Sequence, residues 1–141
     1  MIKKKVNVLF VCRYNRFRSR VAEAYFRKIN TNKNIKAKSA GLIKGQPLSP
    51  FTVGIAKEFG LNIDGRVKGL SSRLLAWQNI TVIVADNVPP QVFSKNKEYG
   101  KRVIVWKIAD IPEKSKGEIK RLIKTIIKNV EEFAKLLEKE K

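Results

Sequence analysis

Three short runs, KVNVLFV (5–11), ITVIVAD (80–86) and RVIVWKI (102–108), are apolar, β-branched or aromatic over most of their length instead of at alternate positions. A strand that is apolar on both sides needs cover above and below, and parallel sheets obtain that cover from the helices connecting their strands. The intervening segments have the right pattern. Residues 19–29 place Val21, Ala22, Tyr25, Phe26 and Ile29 at helical spacing, and PFTVGIAKEFG (50–60) opens on a proline and closes on a glycine. Residues 114–139 set Ile119, Leu122, Ile123, Ile126, Ile127, Val130, Phe133, Ala134 and Leu137 on one face of a long helix, which reads as a core face. IKAKSAG (35–41) alternates and ends at Gly41, a further strand; LSSRLLAWQ (70–78) predicts a shorter helix, and NVPPQVFSKN (87–96) a loop with a short helix. The fold class expected is α/β, a three-layer sandwich in which a four-stranded parallel sheet is flanked by helices on both faces. At 141 residues the chain reads as a single domain, 1–141, able to bury about two thirds of its unfolded surface.

In such sheets ligands bind beyond the carboxyl ends of the strands. Cys12 stands at the end of the first strand, Asp86 at the end of the third and Asp110 just past the fourth, so all three are expected at one crevice. Cys12 is the only cysteine of the chain, and arginines follow it at 13, 16, 18 and 20. A lone cysteine after a strand is ordinarily a small hydrophobe in packing. Here its surroundings are electropositive, which packing does not require. One cysteine also excludes an intramolecular disulfide and any disulfide relay within the chain.

The formal net charge is +19, and residues 1–38 hold twelve Lys or Arg against a single acid, Glu23. Such a field attracts phosphorylated substrates, nucleic acid or other polyanions. A solvated basic face of a lysine-rich protein explains many of the lysines equally well. No stretch approaches the roughly eighteen apolar residues of a membrane span, and MIKKK leads into a run of only strand length, so no membrane span and a cytoplasmic location are expected.

Five residues separate Cys12 from Arg18, and Ser19 follows. A loop this short between a strand and a helix N-terminus turns the backbone N–H groups of Arg13, Tyr14, Asn15, Arg16, Phe17 and Arg18 towards one point, where the helix dipole adds positive charge. That makes a cradle for inorganic phosphate or another oxyanion. Arg18 can close it with a two-pronged guanidinium fork. Thiolates beside cations and helix N-termini are stabilised, so Cys12 is expected to act as a nucleophile at neutral pH. Ser19 is placed either to donate a hydrogen bond to the sulfur or to cap the helix. Attack on a phosphate monoester expels an alkoxide or phenoxide that needs a proton. The chain has no histidine, which leaves a carboxylic acid: Asp110 in WKIADIP, held by Pro112, or Asp86, which alternatively braces a loop or caps a helix.

VLFVCRYNRFRSRVAEAYF resembles the opening of the low-molecular-weight protein tyrosine phosphatases, whose signature is Cys, five residues, Arg, Ser and a helix containing Ala-Glu-Ala. KSAGL, AKEFGLNI, VIVADN and IADIP are similar to later stretches of that family in the same order, so the resemblance spans nearly the whole chain. It implies a phosphatase that works through a phosphocysteine without metal or organic cofactor, on a phosphorylated protein or a small phosphate monoester. Cys12 would be the nucleophile, Arg18 the phosphate clamp, Asp110 the general acid and base, and Asn15, Ser19 and Ser39 the hydrogen-bonded support of the loop. Asn15 also suits a left-handed backbone position.

The chain departs from the family's pattern at several places. Tyr14 stands where Gly is common, Phe17 where Cys is, and Arg20 where Pro is; no histidine lies near Gly65, and IPEKS replaces the tyrosines that usually follow the acid. Tyr14 with Arg13 either rebuilds an aromatic, basic mouth for a phenyl ring or an acidic peptide, or strains the loop. Two other functions remain open. One is an arsenate reductase resolved by an external thiol, since the chain has no further cysteines; the other is a non-catalytic polyanion or nucleic-acid binder, since RYNRFRSR interleaves arginines with aromatics.

Overall fold

The structure is a computed structural model that describes residues 3–63, 67–110 and 115–140. Four strands, β1 (Val6–Cys12), β2 (Ile35–Gly41), β3 (Ile80–Val84) and β4 (Arg102–Trp106), form one parallel sheet in the order β2-β1-β3-β4. The register pairs Cys12 with Gly41 and Val11 with Ile83, so the strands end nearly level. The connection from β1 runs outward to β2, and the chain then returns past β1 to β3. The order therefore reverses between β1 and β3, and the crevice at that reversal is where Cys12 ends its strand.

Helices α1 (Arg18–Ile29), α2 (Pro50–Glu58) and α4 (Lys116–Glu138) cover one face. Helix α3 (Ser72–Trp77) and two 3-10 turns kinked at Phe93, Pro90–Tyr99, cover the other. The expected three-layer α/β arrangement is what the chain forms. On α4 the buried side chains are Ile119, Leu122, Ile123, Ile126, Val130, Phe133 and Leu137, with Ile127 and Ala134 partly buried against the same core. The helical stripe read from sequence is thus its inner face. Ser115 caps α4 by accepting from the Glu118 amide.

Some boundaries differ from expectation. The third and fourth strands stop at Val84 and Trp106, because the chains diverge into loops there, although Ala85 N–H still donates to Trp106 O and Asp86 N–H to Ile108 O. β4 is an edge strand with Arg102 and Val105 exposed, so its apolar run is covered on fewer sides than that of β1 or β3. The short helix expected within 87–96 is instead the 3-10 pair reaching Tyr99, ended by Gly100 in the left-handed conformation (φ 69°). Gly65 and Pro112 lie outside the described residues.

Candidate active site

Cys12 is buried at the end of β1, and Arg18 begins α1, so the loop between them is five residues long and anchored at both ends. Its backbone turns sharply at Asn15, whose φ of 56° is the only positive value of a non-glycine among the described residues. Asparagine tolerates that region better than most residues. Tyr14 therefore does not carry the backbone strain that its replacement of glycine raised as an alternative.

The Asn15 side chain locks the turn from within. Its amide nitrogen donates to Ser19 Oγ (2.9 Å) and Ser39 Oγ (3.0 Å), and its oxygen accepts from the Lys68 amide (2.8 Å). Ser39 in turn donates to Glu23 of α1, which also pairs with Arg27 at 2.9 Å. Glu23 accepts from the Ser39 hydroxyl, the Asn15 amide donates to both serine oxygens, and the Ser19 hydroxyl stands 3.0 Å from Cys12 Sγ, a bond in which either atom can be the donor. Ser19 is the second residue of α1; the cap position is Phe17, and no side chain caps the helix. The capping alternative for Ser19 does not hold.

Among the described residues, the backbone N–H groups of Arg13 to Ser19 meet no acceptor in the protein. A row of N–H groups without a protein acceptor at a helix N-terminus suits an anion. From the other side, β2 and its continuation press against the loop. Leu42, Ile43 and Gly45 amides donate to the carbonyls of Cys12, Arg13 and Tyr14 at 2.9, 2.9 and 3.1 Å. A Cβ on Gly41 would stand 2.5 Å from the Tyr14 carbonyl carbon and 2.6 Å from the Asn15 nitrogen, so only glycine allows this approach.

Arg18 is 2 % exposed, and two of its N–H groups are held by Ile108 O (2.7 Å) and Asn87 Oδ1 (3.0 Å). Asp86 and Asp110, both about half exposed, lie 3.7 and 3.9 Å from the same guanidinium. The loops after β3 and β4 thus deliver both carboxylates to one cation. Arg13 and Arg16 lie at the rim, and the Phe17 side chain is buried in the core beneath α1. Cys12, Asn15, Arg18, Ser19, Ser39, Asp86 and Asp110, singled out in the sequence, converge on this end of the sheet. Asn87, the Ile108 carbonyl, Gly41 and Glu23 belong to the same assembly and were not singled out. Glu23 did leave a signal, as the only acid in the first 38 residues. Chemically, the arrangement joins a candidate nucleophile, a candidate anion cradle, a guanidinium and two candidate proton carriers.

The model of the family described as "Low molecular weight phosphotyrosine protein phosphatase" matches residues 7–141. No curated protein matches the sequence. Among solved structures, the YwlE arginine phosphatase from Geobacillus stearothermophilus superposes with a TM-score of 0.80 at 20 % identity, covering 94 % of this chain and 93 % of that one. A low molecular weight protein tyrosine phosphatase from T. tengcongensis gives 0.78 at 24 % identity, over 93 % of this chain and 99 % of the other. An arsenate reductase from Archaeoglobus fulgidus gives 0.68 at 24 % identity, over 89 % and 97 %. At these identities the solved structures share the fold.

Proposed function

The chain belongs to the low molecular weight phosphotyrosine protein phosphatase family, and on that premise we propose that it hydrolyses phosphate monoesters, phosphotyrosine foremost, through a phosphocysteine formed on Cys12. The observation that carries the proposal is the row of amides from Arg13 to Ser19, unpaired among the described residues, that runs from the buried Cys12 past the buried Arg18. A tetrahedral oxyanion satisfies those donors, and the Arg18 fork stabilises charge as the transferring phosphoryl group passes from one oxygen to sulfur.

In the first step the Cys12 thiolate forms a bond to phosphorus while the bond to the ester oxygen breaks. The leaving oxygen takes a proton from Asp110, with Asp86 as the second candidate. In the second step the same carboxylate takes a proton from water, the water oxygen bonds to phosphorus, and the P–S bond breaks to release phosphate. The Ser19 hydroxyl at 3.0 Å supports the sulfur as it leaves with the electron pair. No step calls for a metal or organic cofactor. Tyr14, exposed on the loop itself, and Ile43, exposed on the segment that pairs with it, offer apolar surface to the ring of a phosphotyrosine.

Hydrolysis of para-nitrophenyl phosphate in the presence of chelator tests the proposal. Turnover by wild type, its loss in Cys12→Ser and a drop of about 10²-fold or more in Asp110→Asn are expected. A larger drop in Asp86→Asn than in Asp110→Asn would exchange the roles of the two acids. Absence of turnover from folded protein, with thiol-dependent consumption of arsenate instead, would replace the proposal with an externally resolved arsenate reductase.

A further inference from the structure

One phosphate in the loop accounts for Cys12 and Arg18 but not for the side chains of Arg13 and Arg16. Each is held in place by uncharged acceptors. Arg13 donates to Tyr14 Oη at 3.2 Å and to Asn87 O at 3.3 Å, with its guanidinium 5.5 Å from the centre of the Tyr14 ring. Arg16 donates to Gln46 O at 2.8 Å and Pro47 O at 3.3 Å. Asn87 follows β3, whereas Gln46 and Pro47 follow β2, and these strands flank β1 on opposite sides. The two guanidinium groups therefore stand on opposite sides of the loop that begins at Cys12.

Neither charge is balanced by a described residue. Among the described residues, no carboxylate lies within ion-pair distance of Arg13 or Arg16, whereas Arg27 and Arg102 each have one at 2.9 Å. The nearby acids Asp86 and Asp110 are both directed at Arg18. A guanidinium has five N–H donors, and among the described residues each of these two spends only two of them on the protein. Two fixed, uncompensated forks on either side of an anion cradle offer donors that a lone phosphate cannot fill. The basic rim also opposes a phosphate carried on a guanidinium, whose positive charge would enter between like charges.

We propose that the site selects phosphorylated residues embedded in acidic protein segments, with carboxylates on the two sides of the phosphorylated residue meeting Arg13 and Arg16. It rests on the phosphatase reading for the identity of the central phosphate.

The test separates the two ideas by measuring binding and turnover independently. Three phosphotyrosine peptides that differ only in flanking residues (Asp/Glu, Ser/Gly, Lys/Arg) are titrated into Cys12→Ser protein by fluorescence polarisation, while wild type is assayed on para-nitrophenyl phosphate. Acidic flanks should tighten binding roughly three- to tenfold over neutral flanks at low salt, with the advantage shrinking at high salt. The doubly substituted Arg13→Gln, Arg16→Gln protein, on the same Cys12→Ser background, should bring that ratio close to one. A ratio taken within one protein cancels any general damage to the loop. Equal affinity for acidic and neutral peptides would overturn the proposal while leaving the phosphatase intact. Displacement of the acidic peptide by an equally charged RNA at lower concentration would overturn it in favour of a nucleic-acid rim. Failure of wild type to hydrolyse para-nitrophenyl phosphate would count against the phosphatase, and the peptide ratio would still decide the role of the two arginines.

Discussion

Phe10 and Cys12 sit two residues apart on the same strand, and both are buried, yet they are held by opposite kinds of interaction. The Phe10 ring meets Phe26, Phe133 and Trp106 with centroids 5.8, 6.2 and 6.3 Å apart, in a cluster where every ring touches others. Such contacts are weakly directional and shared among many partners. Cys12 also touches an apolar cluster on the other face of the sheet, but the loop that follows it is held by single directed hydrogen bonds, and among the described residues the chain from Glu23 through Ser39, Asn15 and Ser19 has no duplicate. The aromatic cluster therefore contributes chiefly to stability, and the hydrogen-bonded loop fixes where Cys12 and Arg18 stand.

Phe133→Ala carries the largest expected effect, a loss of about 3–5 kcal/mol of stability from the vacated ring volume. Chemical denaturation measures it, and kcat per folded molecule should stay near the wild-type value. A fall in kcat at temperatures where circular dichroism still shows the native fold would mean that the two regions are coupled. Arg18→Lys should leave the melting temperature within a few degrees while lowering kcat/KM by about 10²–10³-fold, since an ammonium cannot keep Ile108 O and Asn87 Oδ1 and still form the fork. An unchanged kcat/KM would reduce Arg18 to a structural residue.

Asn15→Ala lies between the two regions and should show both signatures. It removes three hydrogen bonds and places a Cβ residue in the left-handed region, which costs about 1–3 kcal/mol in stability. Misplacement of the loop adds a loss of up to about 10²-fold in kcat. A stability loss without a rate loss would show that the brace supports the fold and not the chemistry.

The smallest effect belongs to Glu58, at the end of α2, which pairs with Lys116 and Lys120 at 3.0 and 3.4 Å. Its hydrogen bond with Lys116 holds its carboxyl below the ordinary glutamate value. A depressed value means that the contribution is present above the unfolded glutamate's titration range and is lost as the pH falls through the folded one. Glu58→Gln should therefore change the melting temperature slightly at neutral pH and not at all in strong acid. A difference that grows on acidification would contradict that sign.

How much of this was legible in the sequence differs from element to element. β1 and β3 were plain because both faces are buried, so nearly every residue is apolar. α4 was plain because a 23-residue helix repeats its apolar stripe many times. β4 was plain as a strand but not as an edge, since an apolar run does not say how many neighbours it has. The 3-10 turns at Pro90–Tyr99 were read as an ordinary short helix, because proline at a helix start is compatible with both. In the loop, Cys12, Arg18 and Ser19 stood out by spacing and Asn15 by its backbone preference.

The amino-acid sequence by itself determined the alternation of strand and helix, the place of a lone cysteine between a buried strand and a basic helix start, and the left-handed turn at Asn15. These are local matters, governed by side-chain periodicity and backbone sterics within a few residues. Tertiary structure alone decided what surrounds them: Asn87 and Ile108 reaching Arg18 across 69 and 90 residues of chain, Gly41 pressed on the loop, and Glu23 ending the hydrogen-bond chain. Such partners meet only when β2, β3 and β4 are ordered on either side of β1, and a carbonyl oxygen or a missing Cβ leaves no pattern in the sequence to announce the meeting.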